Sequence, residues 1–225
     1  MYRNIRGNAV RKNVWGDKVS MDRKIRKAAG HQFFIAGVFA FLLSGCALLV
    51  TPTAPDVYDL SISDRVAAVP GTSRSQILIA TPKVLNSLDN DRIVIKPSTA
   101  QISFFGDVRW SDRLPRLVQL YFARAFSKTN GARAVGLPGD GLLIDHQLLF
   151  DVTAFQIEVT GGAGTVAHVE IAVQVLNDKN GRVIASNRFS SKVPTSDDPV
   201  SGVNALNEAL DVVAVELIGW VYNRI

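Results

Sequence analysis

One cysteine, three histidines and no serine in a nucleophile-elbow motif leave this 225-residue chain poorly equipped for catalysis. His31 lies in a basic N-terminal segment. His146 and His168 fall on separate candidate strands, with no second ligand at the spacing a zinc site requires. Asp145 precedes His146 directly and so points to the opposite face of a strand, where it cannot orient that imidazole. The glycines of Gly136, Gly139 and Gly141 lack the Lys-Ser or Lys-Thr and the following helix of a phosphate loop; a strand beginning at Leu142 makes them an ordinary connection. Gly161, Gly162 and Gly164 read as a hairpin tip. Carboxylates such as Asp151 and Glu158 show no spacing that singles them out. Internal repeats and low-complexity stretches are absent as well. The expectation is a chain that is not an enzyme, with no metal and no cofactor.

The body also lacks an excess of positive charge, although the whole chain carries +5 and has a pI near 9.5. Residues 1–45 hold nine Lys or Arg and two Asp, so the remainder carries 16 basic and 18 acidic residues. A nucleic-acid domain would keep a basic stripe to displace counterions from phosphates. No nucleic-acid partner is expected.

What is present at the N-terminus has the three parts of an export signal. Positive charge ends at Lys27, an apolar run follows from Phe33 to Leu43, and small Ser44 and Gly45 precede Cys46. Met21 opens a more compact version of the same leader and is the expected start. Leu43-Ser44-Gly45-Cys46 resembles the bacterial lipobox. That resemblance implies a thioether-linked diacylglycerol on Cys46, cleavage before it and acylation of the new amine. Several acyl chains anchor durably where one is reversible. Lipid attachment would also account for the solitary thiol and rule out its use in catalysis. Read to Val50, the apolar stretch reaches 18 residues and could cross a bilayer as an uncleaved anchor. Both readings place the body outside the cytoplasm. The expected divisions are a signal peptide at 1–45, the lipidated cysteine and an extended tether at 46–56 (Pro52 and Pro55 disfavour helix), and one domain at 57–225.

Periodicity gives the body an α+β character. Tyr58–Ile62, Gln76–Ala80 and Arg92–Lys96 read as short strands, and Ser63–Ser75 as a loop around Pro70-Gly71. Ile102–Val108 is extended and broken by Gly106. Leu114, Leu117, Val118, Tyr121 and Ala125 share one helical face, capped by Ser111 and stopped at Asn130-Gly131. Leu142–Val159, a strand around Val169–Val175 and a return strand Val183–Val193 alternate apolar and polar residues, with Asn180-Gly181 as a tight turn. Asp198 and Pro199 open a final helix with an apolar stripe through Val203, Leu206, Leu210, Val213, Leu217 and Trp220. The expectation is an antiparallel or mixed sheet of hairpins, covered on one side by helices Ser111–Asn130 and Pro199–Val221.

The segments LDNDRIVIKPS (Leu88–Ser98), FFGDVRWSDRLPRLVQ (Phe104–Gln119) and RAVGLPGDGLLIDHQLLFDVTAFQIE (Arg133–Glu158) resemble the ABC-type transport auxiliary lipoprotein family. GRVIASNRF at Gly181–Phe189 and the helix ending in Trp220 resemble it too. The likeness implies an envelope lipoprotein serving an ABC permease and ATPase through a mammalian-cell-entry (MCE) domain protein, in lipid movement between inner and outer membranes. Phospholipid is a further candidate ligand. Ala47 after the anchor favours the periplasmic face of the outer membrane over the inner membrane. Trp110, Arg113, Asp91 and Arg92 are the candidate partner-binding residues, since Trp and Arg are favoured interface anchors. Read as plain structure, Trp110–Pro115 is a strand-to-helix junction with the indole in the core. Asp89, Asp91 and Arg92 are then a solvated turn with a local ion pair.

Overall fold

A single long strand organises the sheet. The computed structural model describes residues 54–159 and 164–225, all within one compact unit, Thr53–Ile225. In chain order the strands are β1 (Asp56–Tyr58), β2 (Gln76–Ile79), β3 (Lys83–Val84), β4 (Arg92–Lys96), β5 (Ser103–Trp110), β6 (Ala134–Gly136), β7 (His146–Val159), β8 (Thr165–Asn177) and β9 (Arg182–Thr195). The helices are α1 (Asp64–Ala67), α2 (Leu114–Lys128) and α3 (Pro199–Tyr222). β7 pairs along one edge with β2, β3 and β4 in succession, all parallel, and along the other edge with β8, antiparallel. β8 pairs in turn with β9, which has no further strand neighbour among the described residues, while β5 joins β4 and β1 joins β5. The result is an open mixed sheet of α+β class.

The expectation of hairpins therefore holds for β4–β5 and β7–β8–β9 but not for the first half of the chain, where β1, β2, β3 and β4 each find a parallel partner. Parallel partners need a crossover, and the chain supplies them through its loops and α2. Two very short strands, β3 and β6, were not foreseen; at two and three residues they are too short to show a period.

Several boundaries also move. Ser63–Ser75 contains the helical turn α1, and the first strand is Asp56–Tyr58, not Tyr58–Ile62. β5 runs straight through Gly106; what breaks there is its ladder with β4, which slips between Arg92–Arg109 and Val94–Phe104. Residues 142–145 stay outside β7 because the Asp145 carboxylate and amide bind the backbone of Gln76 instead.

α2 begins at Leu114 with Arg113 as its cap. Ser111 is drawn away: its Oγ donates to Asp59 and its amide to the Tyr58 carbonyl at 2.7 Å. At the other end, the helix stops at Asn130-Gly131 as expected, and of the two it is Asn130 that takes the left-handed conformation (φ 52°). Gly131 is required for room, since a Cβ there would lie 2.5 Å from the Tyr222 ring. α3 matches its expectation closely. Asp198 accepts the Ser201 amide at 2.9 Å, and Val203, Leu206, Leu210, Val213 and Leu217 are all buried.

A bulge between Val152 and Ala154 of β7 switches the buried positions from even numbers (Leu148, Phe150, Val152) to odd ones (Phe155, Ile157). One sheet face is thus kept apolar along the whole strand. On it, Val169, Ile171, Val173 and Val175 of β8 pack beneath α3, and Phe150 stacks on Phe122 of α2 at 4.7 Å. Tyr121 donates to Asp211 between the two helices, and burial with that carboxylate pushes its phenol pKa up. The interior between the sheet and the helices is filled by side chains, as close packing demands.

Candidate functional site

The two sequence segments that attract attention, 89–92 and 109–113, meet at the far end of the β4–β5 pair. The peptide at Asp91 is the pivot: its carbonyl accepts from the Trp110 amide at 2.7 Å. Asn90 contributes its carbonyl to the Leu114 amide at 3.1 Å and its side-chain oxygen to the Arg92 amide at 2.8 Å. Two ion pairs close the junction from outside, Arg113–Asp89 at 2.6 Å and Arg109–Asp91 at 3.3 Å. The Arg92 guanidinium lies 3.7 Å over the Phe104 ring, close enough for a cation–π contact.

All four candidate residues thus belong to one junction, in different roles. Trp110 is 3% exposed and packs edge-on against Phe155 at 5.8 Å, so its indole belongs to the core and presents nothing to a partner. Arg113 keeps 63% of its side chain in solvent while paired with Asp89. Asp91 and Arg92 remain at the surface. Exposed pairs of this kind contribute little stability.

Beside the junction lies a cleft of about 680 Å³ lined by Thr81, Lys83, Asp89, Arg113, Arg116 and Gln119 among others. Gln119 is buried at its floor, where it donates to the Ile79 carbonyl at 3.0 Å and accepts from Arg116 at 2.9 Å. Three cations against one carboxylate make this rim a receiver of negative charge. Nothing in the sequence pattern pointed to Lys83, Arg116 or Gln119, because they reach the cleft from β3 and from separate turns of α2.

The open face of the sheet holds a polar network that the sequence reading missed. His168, isolated by sequence spacing, has its Nδ1 2.8 Å from Glu158 and its Nε2 3.1 Å from Ser190. Glu158 also accepts from Gln156 at 2.9 Å and from Lys192 at 3.0 Å. Burial alone would raise the Glu158 pKa, but hydrogen bonds from His168, Gln156 and Lys192 outweigh it and hold the carboxyl down at about 2. Carboxylate, imidazole and hydroxyl stand in the order of an acyl-transfer relay. The extra donors hold Glu158 in a cross-strand brace. The signal was invisible because the three residues come from three strands, in register only after pairing.

His146 stays apart from Asp145, which pairs instead with Lys179 at 3.0 Å. The buried Nδ1 of His146 has no partner among the described residues, and burial lowers the pKa of its ring. Asp140 closes the connection at Gly139 and Gly141, its Oδ2 accepting the Leu137 amide at 2.7 Å. Among the described residues no three His, Cys, Asp or Glu are grouped to hold a metal, and no helix is long and apolar enough to cross a membrane. The lipobox (Leu43, Ser44, Gly45, Cys46), the tether before Ala54 and most of the glycine tip at 160–163 lie outside the described residues.

Comparison with known proteins places this architecture. A Xanthomonas campestris protein assigned to DUF330 superposes with a TM-score of 0.67 at 24% identity, covering 75% of this chain and 95% of its own. A second solved structure, of an uncharacterized protein, superposes at 0.56 with 14% identity over 76% of this chain and 98% of its own. At such identities the likeness is one of fold. In sequence, an uncharacterized protein of Bradyrhizobium diazoefficiens is 29% identical over 170 residues, 75% of this chain; the match spans only 45% of that relative's length. A family model for the ABC-type transport auxiliary lipoprotein component matches residues 58–217, from β1 through most of α3. The match takes in the Asp89–Arg113 junction, its cleft and strands β2 to β9, and on that ground the chain belongs to the family of ABC-type transport auxiliary lipoprotein components.

Proposed function

We propose that acyl chains on Cys46 hold this domain to the periplasmic face of the outer membrane. There it docks an MCE-domain protein whose ABC permease and ATPase work at the inner membrane. It assists lipid movement between the two membranes and performs no chemical step of its own. The observation that carries this reading is the convergence of two family-like segments, Leu88–Ser98 and Phe104–Gln119, on one surface junction beside a basic cleft. A transport auxiliary needs such a docking surface. Charged rims of this kind set specificity and association rate. Ala47 supports the outer-membrane assignment.

A lipid carrier would need an apolar groove, and the space between α3 and the sheet is filled by Leu206, Leu210, Ile171 and their neighbours. The test is affinity purification of the full lipidated chain from solubilised membranes, followed by identification of co-purifying proteins. Recovery of an MCE-domain protein, reduced several-fold by Arg113→Glu, supports the proposal. Purification of the intact chain without that partner, and unchanged outer-membrane lipid asymmetry after gene deletion, would reject it.

A further inference from the structure

The sheet has two ends, and the direction in which the chain enters it distinguishes them. At one end stand Ile102, Val159 and Val200, which are 48%, 38% and 50% exposed. The register brings them together: Ser103 pairs with Ile95, Ile95 with Ile157, and Val159 with Thr165, which pairs with Thr195 just before α3. Gly202, two residues after Val200, faces Ile157 and Phe105. The other end, beyond His146 and Asn177, exposes Leu143 at 87%. Exposed apolar surface alone does not choose between them.

Chain direction does. β1 is parallel to β5, with Asp56 opposite Val108, so the residues before Asp56 arrive from the Ile102 end. Six residues of β5 separate Val108 from Ile102, about 20 Å at the usual strand rise. Ten residues join Cys46 to Asp56, a contour of about 33 Å. The link is therefore long enough for the Ile102 end to reach the surface in which the Cys46 chains are embedded.

Charge at this end is mixed. Glu158 is met by His168 and Lys192, whereas Asp197 and Asp198 accept from hydroxyl and amide donors (Thr165, Ser196 and Ser201), which leave a carboxylate's charge in place. Lys96 lines a cleft of about 520 Å³ with Pro97, Ser98, Thr99, Glu158 and Val159; Glu158 is held by His168 and Lys192, and Lys96 has no ion-pair partner among the described residues.

We infer that Ile102, Val159 and Val200 rest in the headgroup region of the leaflet that carries the anchor, with Lys96 against lipid phosphate. Apolar side chains beside a long cationic one partition to this depth of a membrane. The inference rests on the Cys46 anchor proposed above and adds a fixed orientation to it. The Leu143 end then points away from the membrane.

The test uses the full lipidated chain in vesicles of phosphatidylethanolamine and phosphatidylglycerol. Ile102→Cys, Val159→Cys, Val200→Cys and Leu143→Cys each receive an environment-sensitive fluorophore, and spin-labelled lipid serves as quencher. The first three labels should be quenched several-fold more than the Leu143→Cys label. The double variant Ile102→Asp/Val200→Asp, at solvent-facing positions and with unchanged melting, should abolish quenching of the Val159→Cys label. Equal or reversed quenching on vesicle-bound chain with an acylated Cys46 overturns the orientation and leaves the anchor intact. An unmodified Cys46 by mass spectrometry, with chain that fails to float with vesicles, overturns both.

Discussion

The helix-covered face of the β7–β8–β9 sheet and its open face come from the same alternating strands, yet they hold the molecule by different means. The covered face is aliphatic and aromatic, filled to contact by α2 and α3. The open face is a lattice of charges and hydroxyls: Glu158 with His168 and Lys192, and Glu170 with Thr153 and Arg188. Burial of apolar volume is insensitive to pH and costly to disturb. Hydrogen-bonded carboxylates contribute less and depend on ionisation. The covered face fixes the fold, and the open face keeps a wide sheet soluble while bracing its strands.

The contrast can be broken most forcefully on the covered face. Leu206→Ala should cost about 3 kcal/mol, read as a lower denaturant midpoint with an unchanged slope. Gly131→Ala should cost about 2 kcal/mol, because its methyl must displace the Tyr222 ring and disturb the 2.6 Å contact between the Tyr222 and Thr129 hydroxyls. Calorimetry on the two variants orders these effects.

The open face gives smaller, pH-dependent changes. Glu158 has a folded pKa near 2 against an ordinary value of 4.5, so its contribution is present above about pH 4.5 and fades as the pH falls toward 2. Glu158→Gln should therefore cost about 1 kcal/mol at neutral pH and almost nothing at pH near 2, as measured by denaturation across that range. A constant difference over that range would erase the distinction between the faces. Arg188→Ala, at an exposed partner of Glu170, should change stability by less than about 0.5 kcal/mol, and added salt should shrink even that.

Legibility followed the same divide. α3 could be read almost to the residue, since its cap, its proline and its stripe are all local signals. So could Arg92–Lys96; the Asn180-Gly181 turn was placed correctly, but it belongs to a four-residue loop between Asn177 and Arg182 in which Gly181 (φ 69°) and not Asn180 takes the left-handed conformation. The parallel pairing of β2, β3 and β4 on β7 could not, because each partner is fixed by residues tens of positions away. Trp110 was legible as a core residue by its place between strand and helix. The cleft residues Lys83 and Arg116 were not, nor was the Glu158–His168–Ser190 brace. These groupings exist only after register is set, and β7 shifts its own register at Val152–Ala154.

That central strand has a kinetic consequence. β2, β3 and β4 precede β7 in the chain, yet their ladders on it need an edge that does not exist until residue 146 and beyond has been supplied. The β7–β8–β9 meander and the β4–β5 hairpin are local and can zip up at once; the ladders of β2, β3 and β4 on β7 must wait. Such topologies fold slowly, with unpaired strands exposed in the interval. Pulse-labelled hydrogen exchange should find amides of β8 protected before those of β2, and simultaneous protection would contradict this order. With the export proposed above, late closure would keep the polypeptide threadable until most of its length had passed through the membrane.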